Sequence, residues 1–154
     1  MQTPLIETRS RRTVRRPLDI VRAQFFDFEH HIRRNVHKGT TFTILESAPD
    51  RFRLRVETRL GLLPLRDEWL VHRLDDGSIL HSFVTGPLAG GGIEIRFSPA
   101  GEGSTVVDGR IFAPKRGVVR LFAPLFRAIL RKTGERSLDE DLIDLEQGGY
   151  EPAR

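Results

Sequence analysis

Cysteine is absent from all 154 residues, so the chain can build neither a disulfide framework nor a thiolate metal site. Tryptophan, tyrosine and methionine each occur once, and lysine only three times against 22 arginines. No apolar run approaches the roughly 20 residues that a spanning helix requires, and the stretch Met1 to Arg16 is too charged for a secretory signal. Internal repeats, low-complexity tracts and linkers long enough to divide domains are missing too. Together these absences predict one cytoplasmic domain over residues 1–154. The 38% of hydrophobic residues, beside 30% charged, suffices for a buried core.

Several catalytic signatures are also lacking. There is no P-loop and no Gly-x-Ser-x-Gly, and Gly90-Gly91-Gly92 lacks the strand-to-helix setting of a dinucleotide fingerprint, which leaves it as a loop. The net charge of +4 conceals an asymmetry. Arg9, Arg11, Arg12, Arg15, Arg16 and Arg22 crowd the opening stretch against Glu7 and Asp19, whereas Asp139, Glu140, Asp141, Asp144, Glu146 and Glu151 crowd the end. The arginines do not interleave with aromatics, and no helix-turn-helix, finger or RNA-binding signature accompanies them. A solvated basic strand edge is therefore expected, not a nucleic-acid partner.

What is present is pattern. Thr8 to Val14 reads as a strand that Pro17 ends. Asp19 then stands as an N-cap before a helical stretch from about Ile20, with Val21, Phe25, Phe28 and Ile32 on one face and an end near Asn35. Strands follow over Thr41–Ser47, Phe52–Glu57, Arg66–Leu74, Ser78–Thr85, Ile93–Phe97 and Thr105–Phe112, with Asp75-Asp76-Gly77 as a tight hairpin turn. From Gly117 the period changes. Val118, Leu121, Phe122, Leu125, Phe126, Ile129 and Leu130 form a broad apolar stripe that Leu138, Leu142 and Leu145 continue to about Gln147, with Pro124 and Gly134 expected to bend or loosen the helix. The implied fold is α+β: a curved antiparallel sheet of about six or seven strands, packed on a long C-terminal helix and enclosing an apolar cavity. Its wall is expected from Phe25, Phe28, Trp69, Phe83, Leu121, Phe122, Leu125 and Phe126. That helix face is needed to close the cavity, which argues against surface membrane attachment.

This order of elements resembles the helix-grip superfamily of START lipid-transfer domains, polyketide cyclase-like proteins and plant pathogenesis-related proteins, collectively SRPBCC. The resemblance implies a hydrophobic ligand such as a lipid, quinone, isoprenoid or polyketide held between sheet and helix. A weaker local similarity links the chain to the catalytic domain of Rieske-type oxygenases, where Asp-x-x-His-x-x-x-x-His and a late acidic residue ligate iron. Asp27-Phe28-Glu29-His30 matches the first half, but Asn35 stands at the second histidine position and the next histidine is His37. The tail Glu140-Asp141-Leu142-Ile143-Asp144 is similar to the oxygenase tail and nominates Asp141. No Cys-x-His pair exists to hold a Rieske cluster.

His30, His31 and His37 fall within eight residues, and two histidines with one carboxylate make the facial site of non-heme iron proteins. On an unbroken helix His30 and His37 would stand roughly 10 Å apart along the axis, so a shared ion, iron or zinc, requires a helix end near Asn35 and a loop that folds back before Gly39. Asp27 or Glu29 are candidates to orient the imidazoles. His72 and His81, on neighbouring strands, are candidates for the cavity's lone polar group. Three readings remain open: a binder or carrier of a hydrophobic small molecule, a metal-dependent oxygenase-like enzyme using two histidines and Asp141, and a cofactor-free cyclase or dehydratase using His72 or His81 as acid or base.

Overall fold

Alternating strands separated by glycine turns produce one antiparallel sheet in the computed structural model, which describes residues 2–154. In chain order the elements are β1 (Leu5–Val14), α1 (Leu18–Phe26), α2 (Phe28–Arg34), β2 (Thr41–Ala48), β3 (Arg51–Leu60), β4 (Leu63–Arg73), β5 (Ile79–Phe83), β6 (Gly92–Pro99), β7 (Thr105–Pro114), α3 (Gly117–Leu121) and α4 (Ala123–Glu146). Strands β2 to β7 form successive hairpins, and β1 joins β7, giving the order β1-β7-β6-β5-β4-β3-β2. A register shift between Ile44 and Glu46 kinks β2, a device that adds twist at a sheet edge. The curved sheet and the 24-residue α4 make the helix-grip arrangement expected from the sequence.

The inward face carries Leu54, Val56, Val71, Ile79 and Val107, all essentially inaccessible to solvent. Two apolar clusters cover it. One joins α1, the start of α2 and the C-terminal half of α4 through Phe25, Phe28, Leu138 and Leu145. The other lies under α3 and the N-terminal half of α4 through Val119, Phe126 and Leu130, against Leu65, Phe83 and Ile111. Trp69 and Ile93 touch both clusters.

The helices depart from expectation at four points. The first helical stretch divides at Asp27, whose side chain accepts the His30 backbone N–H at 2.9 Å and so caps α2. Asp19 lies in the first turn of α1 instead of capping it, because Pro17 occupies the N-cap position. The long C-terminal helix begins only at Ala123, separated from α3 at Phe122, with Pro124 in its first turn where a missing N–H is harmless. Gly134 does not loosen α4. A Cβ there would sit 2.8 Å from Ile111 Cδ1, so the missing side chain lets the helix lie close on β7.

The charge asymmetry has a structural counterpart. Arg12 meets Asp139 at 2.9 Å, the Arg15 backbone N–H donates to Glu146 at 2.8 Å, and Arg16 bonds the Tyr150 carbonyl and Glu151. The Arg-rich edge strand is thus stitched to the acidic C-terminal segment. No described helix is long and apolar enough to cross a membrane.

Candidate functional site

Two local backbone events set the histidines. His30 and His31 are consecutive on α2, so their side chains leave the helix about 100° apart. His30 turns toward α4 and donates from Nε2 to Asp144 Oδ2 at 2.7 Å. His31 turns toward the sheet, edge-on to Phe28. The helix then ends at Asn35, which takes a left-handed conformation (φ 49°, ψ 50°) that asparagine tolerates better than most residues. The Val36 N–H returns to the His31 carbonyl, and the chain doubles back until the His37 and His31 rings lie 5.2 Å apart.

Helix α4 supplies the acidic partners. Asp141 Oδ1 lies 3.4 Å from His31 Nε2 and 3.5 Å from His37 Nε2. On the other side of its ring, His37 Nδ1 is 2.9 Å from Glu140 Oε2. Gln24 of α1 donates to both Asp141 (3.1 Å) and Asp144 (2.9 Å), tying the two carboxylates to the helix pair opposite. Burial disfavours charge on Asp141, but the neighbouring His37 and His31 outweigh it and hold its carboxyl below the usual range. Burial likewise opposes charge on His37, and Asp141 and Glu140 outweigh it, raising the imidazole pKa.

This cluster forms one end of a cavity of ≈ 140 Å³ between sheet and α4. Phe25, Phe28, Phe42, Trp69 and Phe83 line it, with His81 among them. His81 is buried, shares the inward face of β5 with Ile79 and Phe83, and packs on Trp69 and Phe28. Burial, helped by His31, pushes its pKa down to about 3, so the ring is neutral near pH 7. Asp67 also lines the cavity, and burial pushes its carboxyl up. Among the described residues, His31 Nδ1, both ring nitrogens of His81, Trp69 Nε1 and Asp67 Oδ1 have no hydrogen-bond partner, and His31 Nε2 has only the 3.4 Å contact with Asp141. Buried polar atoms are nearly always paired, and each orphan costs about 1–3 kcal/mol. Four side chains with such atoms around one apolar cavity mark a place where a ligand's polar groups would be welcome.

Of the sequence candidates, His31, His37 and Asp141 come together, each offering one ligand atom, with all three atoms within 4.8 Å of one another. His30 is diverted to Asp144. Neither Asp27 nor Glu29 orients an imidazole: Asp27 caps α2 and accepts from the Tyr150 hydroxyl at 3.0 Å, and Glu29 is exposed. Glu140 takes that position beside His37. His72 is half-buried and, one residue out of phase with Trp69 and Val71, faces away from the cavity. Phe25, Phe28, Trp69 and Phe83 line the cavity, whereas Leu121, Phe122 and Leu125 are exposed, and Phe126 packs in the cluster beneath α3 without lining it. Helix α4 presents the Phe126–Leu130 arc to the sheet and leaves the adjoining arc in solvent. Gln24, Asp67, Asp144 and Tyr150 join the site without having stood out in the sequence. Asp67 alone had a legible signal, a carboxylate at an inward position two residues before Trp69.

No family model matches the chain, and no curated protein sequence matches it. Solved structures do. A protein from Thermus thermophilus superposes with a TM-score of 0.80 at 16% identity, over 94% of this chain and 99% of that one. The ZhuI aromatase/cyclase from Streptomyces sp. R1128 gives 0.74 at 16% identity, over 95% and 99%. A START superfamily protein from Mycobacterium smegmatis gives 0.63 at 16% identity, over 87% and 97%. At this identity the likeness concerns architecture, and with the sheet order and α4 already described it establishes that the chain has the START-like helix-grip fold.

Proposed function

We propose that the protein binds an apolar, ring-bearing small molecule between the sheet and α4, with a polar substituent of that molecule directed at His81 and His31. The observation that carries this reading is the set of partnerless polar atoms on His31, His81, Trp69 and Asp67 in a cavity otherwise walled by aromatic and aliphatic side chains. Such a site takes its affinity from apolar burial and its orientation from a few polar groups. The volume is that of a compact ring, since a cavity of about 150 Å³ accepts benzene. Likeness to an aromatase/cyclase agrees with a ring-bearing ligand. A proton-transfer role for His81 is disfavoured, because a base with a pKa of about 3 is poorly matched to neutral pH and no neighbouring group orients its ring. His81 acts instead as a neutral hydrogen-bonding group. Trp69, the only tryptophan, reports on occupancy. Addition of 1,4-benzoquinone should quench its fluorescence saturably, and a linear, unsaturable quench would sink the proposal.

A second reading is favoured by the grouping of His31, His37 and Asp141. Metal–ligand bonds of about 2.0–2.1 Å in a tetrahedron place neighbouring ligand atoms about 3.3–3.5 Å apart. The two His–Asp separations, 3.4 and 3.5 Å, fit that spacing. Glu140 at His37 Nδ1 supplies the carboxylate that commonly fixes a ligating imidazole. Zinc or iron suits two imidazoles and one carboxylate. A bound divalent ion would polarise an oxygen of the ligand at this end of the cavity. Metal analysis of tag-free protein tests this. Stoichiometric zinc or iron, lost in His37→Ala and Asp141→Ala, supports the site; a metal-free protein whose melting temperature is unmoved by added Zn²⁺ or Fe²⁺ rejects it.

A further inference from the structure

The arc of the C-terminal helices that the core does not use is both apolar and cationic. Leu121 is 75% exposed, and Val118, Phe122 and Leu125 are exposed beside it. The turn between β3 and β4 adds Leu62, 93% exposed, and Leu63. These two pieces are neighbours: a Cβ on Gly61 would lie 3.6 Å from Ile129 Cδ1, and Ile129 is one helical turn from Leu125. From Lys115 to Lys132 the chain carries Lys115, Arg116, Arg120, Arg127, Arg131 and Lys132 and no aspartate or glutamate. Arg59 and Arg66 flank the turn. The acidic groups that face this region are Glu57, 3.5 Å from Arg66, and Glu135, 3.4 Å from Arg131. Among the described residues, Arg59, Lys115, Arg116, Arg120, Arg127 and Lys132 form no ion pair.

We propose that this face, made of α3, the first turns of α4 and the β3–β4 turn, docks on a bilayer surface that carries anionic phospholipid. Exposed leucines and a phenylalanine on a stretch of chain rich in unpaired cations are the two components of interfacial attachment, apolar insertion and attraction to negative headgroups. A second copy of the chain is a poorer occupant, because a two-fold contact sets the same patch on itself and opposes like charges. A nucleic acid would satisfy the cations but leave Leu62 and Leu121 without apolar contact. Leu65 of β4 and Leu130 of α4 line the cavity behind the patch, so the docked face would set one end of the cavity toward the lipid. The proposal stands on exposure and charge and does not depend on which ligand the cavity holds.

Vesicle co-sedimentation tests it. The full chain should pellet with phosphatidylcholine vesicles containing roughly 30% phosphatidylglycerol, should stay in solution with phosphatidylcholine alone, and should be released by high salt, as expected of interactions with anionic headgroups. Each near-surface cation is worth roughly fivefold in binding, so Arg120→Glu/Lys132→Glu should weaken it by about 25-fold or more. Leu62→Ser/Leu121→Ser, which remove apolar contact and add no charge, should weaken it without altering the salt dependence. All four positions are outside the cavity, and unchanged quenching of Trp69 by 1,4-benzoquinone would show the variants folded and the cavity intact. Equal sedimentation with both vesicles overturns the proposal, as does none with either. So does concentration-dependent self-association, or capture by an acidic protein, in the absence of vesicle binding.

Discussion

Replacing His81 by phenylalanine should remove a defined part of the acid sensitivity of the fold. The folded pKa of about 3 lies below an unfolded value near 6.5. The unfolded chain therefore binds a proton that the folded chain refuses throughout that window. Stability from the neutral ring is fully present above about pH 6.5 and drains as pH falls toward 3. Between about pH 7.5 and pH 5 the single site accounts for a loss of about 2 kcal/mol. Phenylalanine fits the aromatic surroundings of Phe28 and Trp69, abolishes the titration and removes two partnerless ring nitrogens. Urea unfolding at several pH values measures the effect. His37 and the other titrating groups are common to both proteins, so the difference between them isolates His81. The variant should be at least as stable as the wild type near pH 7.5 and should lose about 2 kcal/mol less on acidification. Identical pH dependence in the two proteins would refute the claim that His81 is buried, neutral and unpaired.

Other expectations follow from the packing. Asp27→Ala removes the α2 cap and frees the Tyr150 hydroxyl, and should cost about 1–2 kcal/mol in denaturant unfolding. Gly134→Ala should remain within about 1 kcal/mol of the wild type, because the helix gains about that much while the terminal methyl of Ile111 yields. Gly134→Leu, driven into Ile111 and Ser10, should cost about 1–3 kcal/mol. Arg12→Ala should change stability by less than about 1 kcal/mol despite its 2.9 Å contact with Asp139, since the pair is largely exposed.

The β-elements were readable because each strand alternates on a sheet with one wet face, as in Phe52 to Glu57, where every second residue is charged. The helix end near Asn35 was readable too, whereas the return of His37 stood in the sequence only as a condition for a shared ion. The orientation of the C-terminal helix was not. Its apolar residues from Val118 to Leu130 read as one stripe, but they belong to two helices that break at Phe122, and periodicity cannot say which arc of each the sheet covers. In α4 the arc through Phe126 and Leu130 is buried and Leu125 is left in solvent, and in α3 Val119 is buried and Leu121 is not. The polar network around Asp144 was hidden for a different reason: Gln24 and His30 reach it from 120 and 114 residues away, and nothing local announces such partners. The lack of partners at His81 depends on the registers of β4, β5 and β6 together, with Val71 and Ile93 opposite it, which no single stretch encodes.

The central claim is a cavity that takes a ring and orients it through His81. Calorimetric titration with phenol and with benzene, on the wild type and on His81→Phe, tests it most directly. The wild type should prefer the hydroxylated ring by roughly fivefold or more, the worth of one buried hydrogen bond of about 1 kcal/mol, and the variant should bind both alike. Failure of both compounds to bind the wild type, or a hydroxyl preference that survives in the variant, would contradict the account.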